Sequence, residues 1–153
     1  MRGGDYSHLR KYEKGKAHTG LGVFKYMYED KYLDLSQGLC RNHDDPDLWF
    51  AGEVELAEGE IWRNTQDQTR RVNSEVDKAI SALSVCKNCP AKQDCLELGM
   101  HGPQLDFGIY GGTMPGERLA MVGRVTKNGY NRMKIRFASR VRDTMTERGI
   151  EWR

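Results

Sequence analysis

The stretch from Val85 to Cys95 reads VCKNCPAKQDC and holds three of the four cysteines in this 153-residue chain. Its spacing is C-x2-C-x5-C, and the fourth cysteine, Cys40, lies far upstream. Two residues between Cys86 and Cys89 bring both sulfurs to one side of a helical turn, and a further turn brings Cys95 round. Four thiolates are the ligand set of one tetrahedral zinc ion or one cubane iron–sulfur cluster. The spacing therefore predicts that the four cysteines converge on one metal centre.

Two disulfides are the alternative use of four cysteines. The chain opens with MRGGDY, which lacks the apolar segment of a signal peptide, and no apolar run is long enough to span a bilayer. We therefore expect a cytoplasmic protein, where structural disulfides are rare. Metal or cluster ligation is the favoured interpretation, and redox-active thiols are the main alternative.

The residues around the cysteines extend the pattern. Cys40 is followed by DPDLWF at 45–50, Cys89 by a proline, and Cys95 by GIYGG at 108–112 and then by Glu117 and Arg118. In this order, the motifs resemble the WhiB-like proteins of actinobacteria and their phages. The resemblance covers about residues 32–122.

This resemblance implies an all-α fold, a small domain of about four helices wrapped around a 4Fe–4S cluster. The cluster ligands would be Cys40, Cys86, Cys89 and Cys95. The resemblance also implies a transcription regulator that binds the C-terminal domain of the principal sigma factor within RNA polymerase. Reaction of the cluster with oxygen or nitric oxide is often part of sensing in this family.

Two features depart from the family pattern. The family turn usually reads Gly-(Val/Ile)-Trp-Gly-Gly with its tryptophan at the sigma-factor interface, and here Tyr110 holds that place within the glycine turn of Gly108, Gly111 and Gly112. We expect a sigma-factor interface of exposed aromatics at Trp49, Phe50 and Tyr110. The gap between Cys40 and Cys86 is also long, and we assign the excess to the acidic loop 52–63.

Charge divides the chain unevenly. Residues 33–121 carry eight Lys or Arg against fifteen Asp or Glu, whereas residues 122–153 carry nine against three. We divide the chain into a partly disordered N-terminal segment (1–31), an iron–sulfur domain (32–122) and a basic C-terminal tail with a helix (123–153). A basic tail indicates promoter DNA as a partner. The candidate phosphate contacts are Lys127, Arg132, Lys134, Arg136, Arg140 and Arg142.

Local signals predict the elements that carry these residues. Val23–Leu35 is assigned as a helix, although its aromatic residues also alternate with period 2. Asp45-Pro46 indicates a helix start, and Thr65 with Gln68 a capping box. Apolar residues from Val72 to Leu83 then recur at helical spacing up to Cys86. Further helices are predicted from Pro90 to about Met100, over Pro115–Val122, and from a cap at Asn131 through Arg148.

No motif of an enzyme is present: the four histidines are scattered, and there is no His-Glu-x-x-His, nucleophile elbow or phosphate loop. A zinc-binding structural or DNA-binding module is one alternative function, and a thiol–disulfide oxidoreductase using Cys86 and Cys89 is another. His43, three residues after Cys40, is an alternative ligand. Because the apolar content is low, we expect the metal-free protein to be loose or unfolded.

Overall fold

The computed structural model describes residues 23–26, 31–53, 56–124 and 129–152, with only the backbone at 23–26, 31 and 32. In these ranges the chain forms two strands, β1 (Val23–Tyr26) and β2 (Lys31–Asp34). Four α-helices follow, namely α1 (Gln66–Lys87), α2 (Lys92–Gly99), α3 (Pro115–Met121) and α4 (Gly129–Glu147). Short 3-10 helices span Leu39–Asn42, Pro46–Phe50 and Gly102–Leu105. The predicted small all-α domain is confirmed. Most of the N-terminal segment 1–31, which is predicted to be partly disordered, lies outside the described residues.

The segment before Cys40 is extended, so the helix predicted over Val23–Leu35 is wrong. β1 and β2 pair antiparallel, with Val23 opposite Asp34. The period-2 alternation of aromatic residues is the signal that matches the observed strands, because aromatic side chains fit a pleated strand better than a helix. Leu33 and Leu35 are both buried. Alternate residues therefore face the interior at the end of β2.

Helix α1 begins at the predicted capping box. Thr65 Oγ1 accepts a hydrogen bond from Gln68 N at 3.1 Å, and Gln68 Oε1 accepts one from Thr65 N at 3.3 Å. These bonds satisfy donors that a helix start leaves unpaired. The predicted apolar stripe is confirmed, and it delivers a cysteine to the interior at the end of the helix. Its buried members are Val76, Ile80, Leu83 and Cys86.

The shorter elements follow the sequence signals closely. Pro46 is the first residue of a 3-10 helix, although the Asp45 side chain makes no capping bond. Helix α2 begins two residues after Pro90, which cannot donate to a preceding helical turn. Helix α3 starts at Pro115 as predicted.

Helix α4 is docked on the body of the protein. It begins at Gly129, so Asn131 lies inside the helix and is not its cap; its Nδ2 donates to Arg124 O at 3.2 Å. Val141 and Met145 are buried against α1, whereas Met133, in the same stripe, is exposed. Gly116 of α3 has no room for a Cβ, because the backbone of α4 at Lys134 crosses directly over it. The two helices therefore cross at backbone contact.

Apolar side chains gather in two separate groups. The larger group, here called the main core, joins α1, α4 and the 3-10 helix of Trp49, and its members include Val76, Leu83, Cys86, Val141 and Met145. The smaller group, here called the small cluster, joins β2 and α2 and consists of Leu33, Leu35, Ala91 and Leu98. The four cysteines lie where these two groups meet.

Candidate metal centre

Four different elements bring the cysteines to one cavity. Cys40 lies in the 3-10 helix after β2, Cys86 in the last turn of α1, Cys89 in the link that follows, and Cys95 in α2. All four are free thiols. They line a single cavity of about 290 Å³. All four cysteines therefore line one cavity, and their role as metal ligands stays a prediction.

The wall of this cavity is mostly apolar and belongs to both groups of core residues. Cys40 and Cys86 pack with the main core, while Cys89 and Cys95 pack against the small cluster. The cavity is partly open to solvent, and it offers room for a bound group beside the four thiols. Within the described ranges, no three His, Cys, Asp or Glu side chains are arranged to hold a single metal ion.

Backbone N–H groups point at the sulfurs from two sides. Leu39 N donates to Cys89 Sγ at 3.4 Å, and Gly111 N donates to Cys95 Sγ at 3.1 Å. Gly111 has a φ of 58°, and a Cβ there would collide with the backbone of Leu96. Glycine is therefore required for the turn to approach α2 closely enough to bond Cys95. Such donors favour negative charge on sulfur.

Trp49 supplies an unpaired donor at the cavity. Its backbone carbonyl accepts from Ile109 N at 2.7 Å, which ties the Asp-Pro-Asp segment to the glycine turn. Its indole Nε1–H is buried and has no hydrogen-bond acceptor among the described residues. This donor lies near Cys86 without bonding to it, and it partly opposes the rise in the pKa of that thiol that burial causes. Because its interaction with Cys86 falls outside the geometry of a regular hydrogen bond, this donor is available to an acceptor in the cavity.

Burial sets the protonation of the thiols. It raises the pKa of Cys40 and Cys86 above the ordinary value, and it raises that of Cys95 to about 12. Neighbouring cysteines raise these values further, because thiolates close together repel one another. Three of the thiols are therefore protonated at neutral pH. A thiol–disulfide oxidoreductase needs a thiol of lowered pKa, and Cys86 has the opposite shift.

The expected sigma-factor interface is only partly at the surface. Phe50 is 58% exposed and Tyr110 is half-buried, and their rings meet at Gly108, where a Cβ would lie 3.0 Å from Tyr110 and 3.2 Å from Phe50. Trp49 is only 7% exposed. The expectation of an exposed Trp49 is wrong, because the 3-10 helix turns this side chain into the main core. Gly108, Gly111 and Gly112 all have positive φ, as the predicted turn requires.

The candidate DNA contacts fall into two sets. Arg132 and Arg136 are exposed and have no hydrogen-bond or ion-pair partner in the described part of the chain. The others on α4 have partners within the fold: Lys134 with the Asp106 carbonyl, Arg140 with Asn73, and Arg142 with Glu117. Lys127 lies outside the described residues. The DNA contacts stay a prediction for all six.

His43 does not line the cavity. Its Nδ1 accepts a hydrogen bond from Asp45 N at 3.0 Å, and its ring packs edge-on against Trp49 with 5.0 Å between centroids. Its neighbours therefore give it a structural role behind the cavity wall.

Comparison with known proteins identifies the family. A family model described as "Transcription factor WhiB" matches residues 35–121, which is more than half of the chain. Neither a curated protein nor a solved structure matches the chain significantly. None of the helices in the described ranges has the length and apolar content of a membrane span. The matched range contains all four cysteines, the tryptophan segment and the glycine turn, and the chain therefore belongs to the WhiB family of transcription factors.

Proposed function

We propose that this transcription factor binds a 4Fe–4S cluster through Cys40, Cys86, Cys89 and Cys95. The observation that carries the proposal is the shared cavity of about 290 Å³, with four cysteines on its wall and a buried, unpaired Trp49 N–H at its edge. A single zinc ion holds its sulfurs about 2.3 Å away and draws them together, which leaves no large cavity between them. A group of several atoms fits a cavity of this volume without such a rearrangement.

The surrounding residues suit such a group. A cubane held by four thiolates is net negative, and the N–H groups of Leu39 and Gly111 already point at two of the sulfurs. The Trp49 N–H is available for a third sulfur. The apolar wall limits access of water to the site. When bound, the cluster would supply one-electron redox chemistry and a site of reaction with oxygen or nitric oxide.

A direct test of the ligand set uses single substitutions of each cysteine by alanine. After anaerobic reconstitution, the unaltered protein should contain iron and sulfide and show broad visible absorbance, and each variant should lose both. Ser84→Ala is the matched control, because this exposed residue lies on α1 close to Cys86. A colourless protein containing zinc would contradict the cluster and support the zinc-module alternative. Full iron content in Cys40→Ala would remove Cys40 from the ligand set.

The proposed partner is the C-terminal domain of a principal sigma factor. Family resemblance supports it, together with the exposed ring of Phe50 beside that of Tyr110. Aromatic anchors of this kind can each contribute about 2 kcal/mol, so replacing one by alanine should weaken binding about 30-fold and replacing both about 1,000-fold. Met121→Ala is the control, because Met121 is an equally exposed apolar residue on α3. Unchanged affinity of the double variant, with cluster content intact, would contradict this interface.

Promoter DNA is the second proposed partner, reached through the basic C-terminal helix within the sigma-bound complex. Arg132 and Arg136 are its best-supported contacts, because both are exposed and unpaired in the described residues. Removing each phosphate contact should reduce the salt dependence of binding by about 0.9 log units per log unit of salt. The alanine variants of both should therefore bind DNA with a shallower slope than Arg148→Ala, whose side chain pairs with Asp77. Identical slopes would assign the two arginines to solubility alone.

A further inference from the structure

Arg118 is the most completely buried charged side chain of the described residues, with 0% exposure. Its guanidinium donates only to neutral oxygens of the segment 104–113. Nη1 bonds Thr113 O at 2.7 Å, and Nη2 lies 2.8 Å from Gln104 O, 3.0 Å from Phe107 O and 2.6 Å from Gly108 O. One side chain therefore binds backbone carbonyls on both sides of the glycine turn and holds the two ends of the turn in place.

Among the described residues no ion pair balances the charge of Arg118, and the carboxylates of Glu117 and Asp106 act on it only from a distance. No carboxylate in the described part of the chain lies within ion-pair distance of its guanidinium, and its Nε is buried without a hydrogen-bond partner. Burial lowers the pKa of Arg118 to about 10, which still leaves the side chain protonated at neutral pH. A buried cation without a counter-charge is strongly unfavourable. An anion close by would remove this cost.

The cysteine centre lies next to this cation. The guanidinium stands 5.4 Å from the centre of the Tyr110 ring, and Tyr110 lines the cavity. Cys95 is among the groups whose negative charge would stabilise protonated Arg118. The turn that Arg118 holds also carries Gly111, whose N–H bonds Cys95 Sγ. Arg118 therefore acts on Cys95 both by its charge and through the turn.

We propose that Arg118 is the buried counter-charge of the cysteine centre and the residue that positions the Gly111 N–H on Cys95. This inference rests on the proposed cluster. Arg118 does not touch the cavity itself, so it is a positioning residue and not a ligand. Its positive charge offsets the negative charge of the loaded centre. Because reduction adds one more negative charge, the cation also makes reduction of the cluster more favourable.

The test separates the charge of Arg118 from its hydrogen bonds. Arg118→Met removes both, whereas Arg118→Lys keeps the charge and loses the planar fork that reaches several carbonyls. Arg148→Met is the control, since it is the same chemical change at an exposed arginine on α4. Each anaerobically reconstituted protein is titrated with dithionite, and its midpoint potential is read from the visible spectrum. Rate of cluster loss in air is measured in parallel.

We expect Arg118→Met to shift the midpoint potential to a more negative value and to lose its cluster faster than the unaltered protein. Arg118→Lys should keep a potential near that of the unaltered protein but lose its cluster faster, because the turn is no longer fixed. Arg148→Met should change neither quantity. If Arg118→Met binds no iron, we still expect Arg118→Lys to bind it, because the lysine keeps the positive charge.

Two results would overturn the inference while leaving the cluster in place. One is an Arg118→Met protein with unchanged potential and cluster lifetime. The other is failure of both Arg118 variants to bind iron while the unaltered protein does, which would show a structural role for the guanidinium without a role for its charge. Failure of the unaltered protein to bind iron and sulfide is a different outcome, because it contradicts the proposed function itself.

Discussion

The main core and the small cluster are stabilised by different interactions. The main core is built by helices of 22 and 19 residues that bury apolar stripes against each other. The small cluster has only four buried residues, supplied by a four-residue strand, an eight-residue helix and the residue next to each. Neither a two-stranded pair nor so short a helix is stable alone in water. The main core therefore folds by packing, whereas the small cluster depends on what joins it to the main core.

The contacts that join the small cluster to the rest are concentrated at the cysteines and at the glycine turn, which packs closely on α2 at Leu96 and Gly99. Asp94 Oδ2 accepts a hydrogen bond from Asp34 N at 2.9 Å, which links α2 to β2. Leu39 N bonds Cys89, and Gly111 N bonds Cys95. The proposed cluster would add four covalent links at this junction. Binding of a metal group to the folded state alone adds directly to its stability.

The largest effect is expected in the main core. Leu83→Ala should lower the free energy of unfolding by about 2–5 kcal/mol, because it leaves a cavity among side chains that cannot fully collapse. The loss should be similar in the cluster-loaded and the cluster-free protein, since the main core closes without the cluster. Urea denaturation followed by circular dichroism measures it. A loss confined to the loaded protein would break the comparison.

A matched change in the small cluster should behave differently. Leu98→Ala removes the same side chain at a similarly buried position. In the loaded protein it should cost up to about 2–5 kcal/mol and speed the loss of iron. In the cluster-free protein it should cost almost nothing, because this region is already open. Equal costs in both forms would show that the small cluster closes by packing alone.

A smaller effect is expected where α4 meets the glycine turn. Arg142 donates to both carboxylate oxygens of Glu117 at 2.8 and 2.9 Å and to Gly112 O at 2.9 Å. Glu117→Gln should cost about 1.5–3 kcal/mol, the range for hydrogen bonds to charged groups. Asp77→Asn, at the exposed pair with Arg148, is the control and should cost under about 1 kcal/mol. Equal costs would mean that the Glu117–Arg142 pair does not hold the helix to the turn.

The smallest effect is a pH dependence of the cluster-free protein. Burial raises the pKa of the Cys86 thiol above its ordinary value of 9.0. A raised pKa contributes stability that is fully present below that ordinary value and is lost as pH rises toward the folded-state pKa. Stability should therefore decline above about pH 9, and the decline should be weaker in Cys86→Ala. At pH 8, Cys86 should react with iodoacetamide more slowly than Cys95, because we expect the small cluster around Cys95 to open in the cluster-free protein while the main core keeps Cys86 buried.

Much of the fold and the cysteine site could be predicted from the sequence. Several local signals predict the helices. The capping box at Thr65 and the prolines at 90 and 115 lie at or near helix starts, and the apolar stripe predicts the buried face of α1. The spacing of the cysteines likewise predicts their convergence. These features depend on neighbours within a few residues.

The remaining features depend on contacts between distant segments. Trp49 and Phe50 are adjacent, and only packing decides that Trp49 enters the core while Phe50 faces outward. Arg118 is the arginine of the Glu-Arg pair found in the family. Burial of an arginine is rare, and no local sequence pattern predicts that this side chain is buried. The segment Val23–Leu35 fits both the helical and the strand period. The pairing of its two halves as β1 and β2 decides that it is extended. The partners of the α4 arginines are distant in sequence, so the local pattern does not predict them either.

Amide hydrogen exchange of the cluster-loaded and cluster-free protein tests most directly whether the cysteine centre joins the two regions. On removal of the cluster, exchange should rise strongly over 33–39 and 88–99, which form the small cluster and its links. Exchange over 72–85 and 134–145, in the main core, should remain slow. An equal rise in both regions, or no rise in either, would contradict the account.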